Sequence, residues 1–355
     1  DRYDDKRALG DWTPNEEKLS MPLGELVREV HALGLRFGIW MEPEMISADS
    51  DLYRAHQDWA RVIPGRDPVR SRDQLVLDLS RQEVTDYLSR SIREILSTGV
   101  DYLKWDINRS IADVWSHSAQ DQGRVLYDYV RGLYRLMEEI HQSFPELLLE
   151  SCSGGGGRFD AGMLYYSPQI WCSDNTDPVD RMRIQHGTSY GYPVSCMGSH
   201  VSVSPNEQTG RATPLAARVT AAMAGTFGYE LDPARMTDEE RAAIPEQIAA
   251  YHRDAELIRQ GRYYRLTDPA QDPAAAWMFV SEDGARARLD AVQLEVHGNM
   301  ETLYVRCRGL TAGAFYRIEE TGAALPADAL TDAGLPLPEG RSEYCSTTLH
   351  LERVR

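Results

Sequence analysis

Basic charge is scarce in this chain. Its 355 residues carry 38 Lys and Arg against 55 Asp and Glu, a net charge of −17 with a pI of about 5.0. Binding a phosphate backbone needs a cationic footprint, so no nucleic-acid partner is expected. No apolar run approaches the roughly 20 residues that span a bilayer, so a membrane-spanning helix is not expected and neither is a membrane partner. Cysteine is sparse and odd in number, at five. That is no disulfide framework, and it points to free thiols in a reducing, cytoplasmic setting. Internal repeats and low-complexity linkers are missing as well. The opening stretch DRYDDKRALGDW holds no secretory apolar segment and starts on Asp rather than Met. The functional protein is accordingly expected to be longer than this chain.

What is present suits a packed fold. Hydrophobic residues at 42 % and seven Trp can build a core, which excludes global disorder. Between residues 20 and 230, helix-period and strand-like segments alternate. Leu23, Leu26, Val27, Val30 and Leu33 recur on one helical face, Gly34 stops that helix, and residues 35–41 (LRFGIWM) read as a buried strand. Val84, Leu88, Ile92, Ile95 and Leu96 repeat the pattern up to Gly99, before a strand at 100–105 (VDYLKW). Val125, Tyr129, Leu133, Leu136, Met137 and Ile140 form a third helix, broken by Pro145 ahead of 147–150 (LLLE). Another strand opens at Ile170 and Trp171, and residues 194–197 and 226–231 carry weaker strand signals.

Such alternation implies βαβ units and a parallel sheet. Strands near 37, 103, 148, 171, 195 and 228 make six units, two short of a closed (β/α)₈ barrel. A helical stretch over 238–260 follows. Short strands then fall at 277–280, 291–297, 303–308, 314–318 and 344–351, split by Gly, Asp and Asn turns. The expected organisation is α/β: a partial barrel over 1–262 and an antiparallel β domain over 263–355.

In such barrels chemistry sits at the C-terminal ends of strands. Those ends read WMEPE at 40–44, KWDINR at 104–109, ESCSGG at 150–155 and WCSDNTD at 171–177. Each carries an acid, and aromatic or Cys neighbours accompany them. One reading makes the Asp and Asn residues loop and N-cap residues, common after any strand. The other takes four acids in register as a sugar site, because buried acids are costly without partners. Indoles stack on the C–H face of a sugar, fixed polar groups bind its hydroxyls, and two carboxylates supply nucleophile and acid/base. Lys6, Lys18 and Lys104 are the lysines of the chain, and its other cations are Arg. Keeping Lys104 two residues before Asp106 points to a site that wants a compact ammonium.

Other motifs lead elsewhere only weakly. The run Gly154–Gly157 lacks a following Gly-Lys-Ser/Thr and is no dinucleotide fingerprint, so it better serves close backbone approach to a ligand. Asp174, Asn175 and Asp177 lack the turn Gly and distal Glu of a calcium loop, so no metal is expected. His200 reads as structural or substrate-proximal.

Taken together, these motifs resemble glycoside hydrolase family 36, the bacterial α-galactosidase type. The resemblance runs through LGDW (9–12), GIWMEPEM (38–45), SDLYRAHQDW (50–59), RDQLVLDLSRQEV (72–84), DYLKWDINR (101–109), ESCSGGGGRFD (150–160), WCSDNTDPVDR (171–181) and GSHVSVSPNEQTGR (198–211). It implies Asp106 as nucleophile and Asp174 as acid/base, with no cofactor. It further implies a sugar pocket using Trp40, Arg72, Lys104, Asn108, Cys152 and Gly155. Without the resemblance, Cys152 reads as a small apolar core residue.

The implied fold is about strands 3–8 of a (β/α)₈ TIM barrel followed by a C-terminal antiparallel β-sandwich. The implied activity is that of a retaining α-galactosidase on melibiose- and raffinose-type α-1,6-galactosides. Its partner would be the α-galactoside substrate, with copies of the full-length protein assembling. One departure stands out. The D-D-G-W-F string that holds the galactose 4- and 6-hydroxyls in the family is absent, and Asp4 and Asp5 are a poor stand-in. A barrel short of two strands has open edges and an exposed core. An inactive fragment or weak sugar-binding remnant is therefore one alternative. A relative acting on α-N-acetylgalactosaminides, or transferring sugar, is the other; the Cys152–Gly155 string favours plain galactose.

Overall fold

Helices with one apolar stripe alternate with short strands that feed parallel pairing. The computed structural model describes residues 7–299, 301–337 and 342–354, and the chain divides into two units, 1–171 and 172–355.

In the first unit, β1 (Gly38–Met41), β2 (Tyr102–Trp105), β3 (Leu148–Ser151) and β4 (Gln169–Trp171) pair in parallel in that order. Helices α1 (Leu23–Ala32), α2 (Gln82–Leu96) and α3 (Val125–Ser143) precede the first three strands. The apolar spacing predicted for α2 and α3 is realised. Val84, Leu88, Ile92, Ile95 and Leu96 are buried on one helix, and Val125, Tyr129, Leu133, Leu136, Met137 and Ile140 on the other. All of these except Val125 share a core with Leu103, Trp105, Leu149 and Ile170 of the strands. Gly99 ends the turn after α2 at φ 104°, and a Cβ there would come within 3.2 Å of Val27.

The first strand differs from its expectation. It spans only Gly38–Met41, of which Met41 alone is buried, while Leu33 and Leu35 are 77 % and 60 % exposed. Among the described residues, β1 pairs with β2 on one side and with no strand on the other. An apolar cavity of about 460 Å³ lies there, lined by Trp12, Leu19, Leu23, Phe37, Ile39 and Ile95. Among the described residues this edge of β1 is open, in line with the strand count. An antiparallel pair after β1, Met45–Ser47 with Gln74–Val76, was not anticipated.

The second unit begins with α4 (Pro178–Thr188) and continues through the parallel pair β5 (Met197–Ser202) and β6 (Thr226–Glu230), between which lies α5 (Leu215–Ala222). Residues 194–197 were predicted as the strand. They instead form a single helical turn at Val194–Cys196, and the strand follows. Ser199 and Ser202 are buried within it, so its polar letters hide a core strand. The long α6 (Asp238–Gln260) matches its predicted bounds and starts with a capping box between Thr237 and Glu240.

The remaining strands are β7 (Arg262–Arg265), β8 (Ala274–Val280), β9 (Arg286–Gln293), β10 (Phe315–Ile318), β11 (Ala324–Pro326) and β12 (Ser346–Arg353). They form one antiparallel sheet in the order β11-β10-β12-β9-β8-β7. A smaller two-stranded sheet joins Tyr304–Val305 to Leu335–Pro336. β9 was predicted five residues later, at 291–297. Arg288 and Asp290 made its real span look like a surface turn, yet both are buried as an ion pair at 2.9 Å. The parallel βα units and the antiparallel sheet together are those of a partial (β/α)₈ barrel followed by a C-terminal sheet domain.

Candidate active site

Strand register lays out the first half of the site. Parallel pairing sets Trp40 opposite Lys104 and Lys104 opposite Glu150, with Glu150 in turn opposite Gln169. Side chains alternate along a strand, so these residues form one row on one face. Leu103 and Trp105 point the other way and are fully buried. Asp106 follows at the end of β2, two residues after Lys104 and on the same side of the chain.

The Asp106 carboxylate is buried and ringed by donors. Its Oδ2 accepts from the Trp40 indole at 3.1 Å and from Asn108 Nδ2 at 2.8 Å. Its Oδ1 accepts from the Ile107 amide at 2.8 Å, with the Gly154 amide at 3.5 Å. Every partner donates, which fixes one rotamer of an acceptor-only group. Gly154 and Gly155 reach this position at φ 53° and 85°, left-handed conformations that glycine takes without strain. Cys152 is tied to β2 through its amide and the Trp105 carbonyl at 2.8 Å. Burial, and then the charge of Asp106, push the Cys152 thiol far up, so it is a neutral thiol beside the carboxylate.

The two acids that close β1 have a different role. Glu42 and Glu44 are completely buried. Glu42 accepts from the Asn108 amide at 2.8 Å and from Gln74 at 3.2 Å. Glu44 accepts from the Trp105 indole at 2.8 Å, pairs with Arg158 at 2.8 Å and takes the Tyr129 hydroxyl. Burial, then the charge of Glu44, raises the Tyr129 phenol well above its ordinary range and keeps it a donor. Both glutamates therefore brace the residues on either side of Asp106. Sequence reasoning grouped them with the other strand-end acids and missed this bracing, which residue type alone does not reveal.

The second unit carries Asp174 in the loop that leads into α4. Asp177 of the same loop is buried and caps α4 by accepting from the Val179 amide at 2.9 Å and the Asp180 amide at 3.1 Å. Thr209 donates to Asp177 at 2.7 Å, and Arg211 pairs with it. Asn175 donates to Asp180 at 2.8 Å, Asn206 donates to Thr176 at 3.0 Å, and Gln208 donates to the Asp174 carbonyl at 2.8 Å. The loop is thereby stitched to the 204–211 segment, while the Asp174 side chain is exposed. A cavity of about 390 Å³ opens beside Asp174, lined also by Thr176, Ser202, Gln208, Glu230 and Asp232.

Asp106 therefore gathers Trp40, Asn108, Cys152 and the Gly154–Gly155 turn, and Lys104 lies in the adjoining row. Arg72 is exposed on a turn where it and Asp73 are both left-handed at φ 54° and 55°. His200 faces Glu230 at 3.4 Å and packs its ring over Gly228. Among the described residues no three His, Cys, Asp or Glu side chains cluster as a metal site would require.

Residues 1–261 match the melibiase family profile, and residues 274–351 match the glycosyl hydrolase family 36 C-terminal domain. The chain belongs to glycoside hydrolase family 36. Within the family it is 56 % identical over 344 residues to the bifunctional alpha-galactosidase/sucrose kinase AgaSK of Mediterraneibacter gnavus, covering 97 % of this chain and 36 % of that protein. It is 45 % identical to alpha-galactosidase AgaA of Geobacillus stearothermophilus, covering 100 % of this chain and 49 % of that one. The solved galactosidase domain of AgaSK superposes with a TM-score of 0.96 at 54 % identity, covering 99 % of this chain and 48 % of the other. A family 36 AgaA variant solved in complex with raffinose gives 0.97 at 44 % identity, covering 100 % and 50 %. The chain thus spans about half, or less, of the length of the family relatives it matches.

Proposed function

We propose that this chain carries the catalytic residues of a retaining α-galactosidase that releases terminal α-1,6-linked galactose from melibiose- and raffinose-type oligosaccharides. The observation that carries the reading is the buried Asp106 carboxylate, held by an indole, an amide side chain and backbone amides at a strand end. Kinship with proteins named alpha-galactosidases, one of which, AgaA, is solved as variants with raffinose and with stachyose, supports the choice of sugar.

In this reading Asp106 attacks the anomeric carbon of galactose and displaces the glycosidic oxygen, while Asp174 gives that oxygen its proton. A galactosyl ester of Asp106 results. Asp174, now a carboxylate, removes a proton from water, and the resulting hydroxide attacks the same carbon and frees Asp106. Two inversions return the α configuration. The surroundings suit the roles: a nucleophile must stay fixed, and the donors on Asp106 fix it. An acid/base must reach both leaving group and water, and Asp174 is exposed beside an open cavity. Trp40 offers an apolar face to the sugar ring, and Lys104 and Asn108 offer donors to its hydroxyls, with Arg72, Cys152 and Gly155 completing the pocket. The five free cysteines support a cytoplasmic location as part of the same proposal.

The test is Asp106→Asn in the full-length protein, assayed on an aryl α-galactoside. Turnover is expected to fall by about 10³-fold or more while substrate still binds, because the amide cannot form the ester. Turnover within tenfold of the unaltered protein would overturn the assignment.

A further inference from the structure

Glu150 was expected among the strand-end acids of the sugar site, yet its surroundings give it no access to a substrate. Its side chain is 3 % exposed, against 23 % for Lys104 beside it. Glu150 Oε1 lies 3.1 Å from Lys104 Nζ. Oε2 accepts from Gln169 Nε2 at 2.9 Å and from the Tyr102 hydroxyl. Burial, and then the negative charge of Glu150, raise the Tyr102 phenol far above its ordinary range, so it stays a donor. The Lys104 ammonium also sits 4.8 Å from the centre of the Trp171 ring. A flexible four-carbon stem therefore ends between a carboxylate and an indole face, with its open side on the face that carries Asp106.

We propose that Glu150 is a positioning residue for the reaction: held by Tyr102 and Gln169, it fixes the Lys104 ammonium where a substrate hydroxyl must meet it. Two arguments support this. A carboxylate with 3 % exposure, one oxygen hydrogen-bonded by Gln169 and Tyr102 and the other buried against the Lys104 ammonium, has no route to a sugar, so any effect it has on chemistry passes through Lys104. A buried ion pair also adds little net stability, because desolvating both charges offsets their attraction. Fold stability alone gives no reason to build one into the row that ends at Asp106. Lysine brings no planar fork of its own to hold an orientation, so the surrounding groups must supply it.

The proposal rests on the α-galactosidase reading and is tested in the full-length protein on an aryl α-galactoside with Glu150→Gln, Lys104→Met and the double variant. Glu150→Gln is expected to lower kcat/KM about tenfold or more. In the Lys104→Met background the same change should cost less than about threefold, the signature of two residues acting as one. Tyr102→Phe, which keeps the ion pair, should stay within about fivefold of the unaltered protein. Losses that multiply in the double variant would overturn the proposal, as would Glu150→Gln behaving like the unaltered protein. If Glu150→Gln does not fold, Glu150→Asp, one methylene shorter with its charge intact, carries the same cycle. An unaltered protein without α-galactosidase activity overturns the broader reading itself, which no result of the cycle would do.

Discussion

Asp174 and Asp177 share one loop and differ in everything but residue type. Asp177 is buried, caps α4 and pairs with Arg211, whereas Asp174 is exposed beside a cavity. Replacing Asp177 by Ala removes a cap and strands a guanidinium, so a loss of about 2–4 kcal/mol in unfolding free energy is expected in denaturant titration. Replacing Asp174 by Ala should leave stability nearly unchanged and slow turnover according to leaving group. Raffinose, whose leaving alcohol needs a proton, should lose about 10²-fold more rate than a dinitrophenyl α-galactoside, which does not. Equal losses on both substrates would count against the acid role. The N-cap reading holds for Asp177, whereas Asp174 lies exposed in the loop ahead of the cap, and residue type could not separate their surroundings. The family resemblance assigns the acid/base role to Asp174 and none to Asp177. Cysteine follows the same logic of surroundings. Cys152 is buried with its thiol pushed far up beside Asp106, while Cys345 is exposed. Iodoacetamide at neutral pH should therefore label Cys345 and spare Cys152, as peptide mass spectrometry would read.

At the level of elements, the strands easiest to read were those whose polar letters come after the strand ends. β2, with α2 before it, follows the apolar periodicity closely. β5 and β9 were misplaced because their interior polar residues are buried and paired: Ser199 donates to Gln185 at 3.0 Å, and Arg288 is held between Asp254 at 2.7 Å and Asp290. Pairing of that kind depends on residues distant in sequence, which periodicity cannot see. The same network links α6 to the antiparallel sheet and makes it sensitive to pH. On β12, His350 lies 3.0 Å from Asp254 on α6 and 2.6 Å from Glu320 on the β10–β11 turn. Hydrogen bonding to Asp254, with help from Glu320, raises the His350 imidazole above its usual 6.5 against burial and the nearby Arg253. Burial would push Asp254 up, but its bond to His350 and the charge of Arg288 hold it at about 2.

The signs fix the window. Stability from the raised His350 is complete below about pH 6.5 and is lost as pH climbs through its folded value. Stability from Asp254 is complete above about pH 3.8 and is lost only near pH 2. His350→Gln should therefore lower the melting temperature most at pH 5–6, by about 3 °C, with the deficit closing toward pH 9. A deficit that does not change with pH would show that His350 contributes packing alone.

For the whole molecule, the strong acidity noted at the outset and the open flank of β1 act against each other. Among the described residues the outer edge of β1 pairs with no strand and lies next to an apolar cavity, with Leu33 and Leu35 exposed nearby. Such an edge is a template for pairing with another chain, and such a patch favours contact with apolar surfaces. A net charge of −17 resists that contact through mutual repulsion over a Debye length, which is about 10 Å at 0.1 M salt and shrinks as salt rises. The 355-residue chain on its own should therefore bind a hydrophobic dye in all buffers. It should stay largely monomeric at low ionic strength and associate as salt approaches about 0.5 M, where the Debye length falls to a few ångströms. Light scattering coupled to gel filtration reads the association. Leu33→Glu combined with Leu35→Lys should suppress it without altering secondary structure, because both side chains lie outside the core. A chain that neither binds dye nor associates at high salt would mean that the β1 flank is covered in solution, and that the apolar cavity beside it is filled by other residues of the same chain.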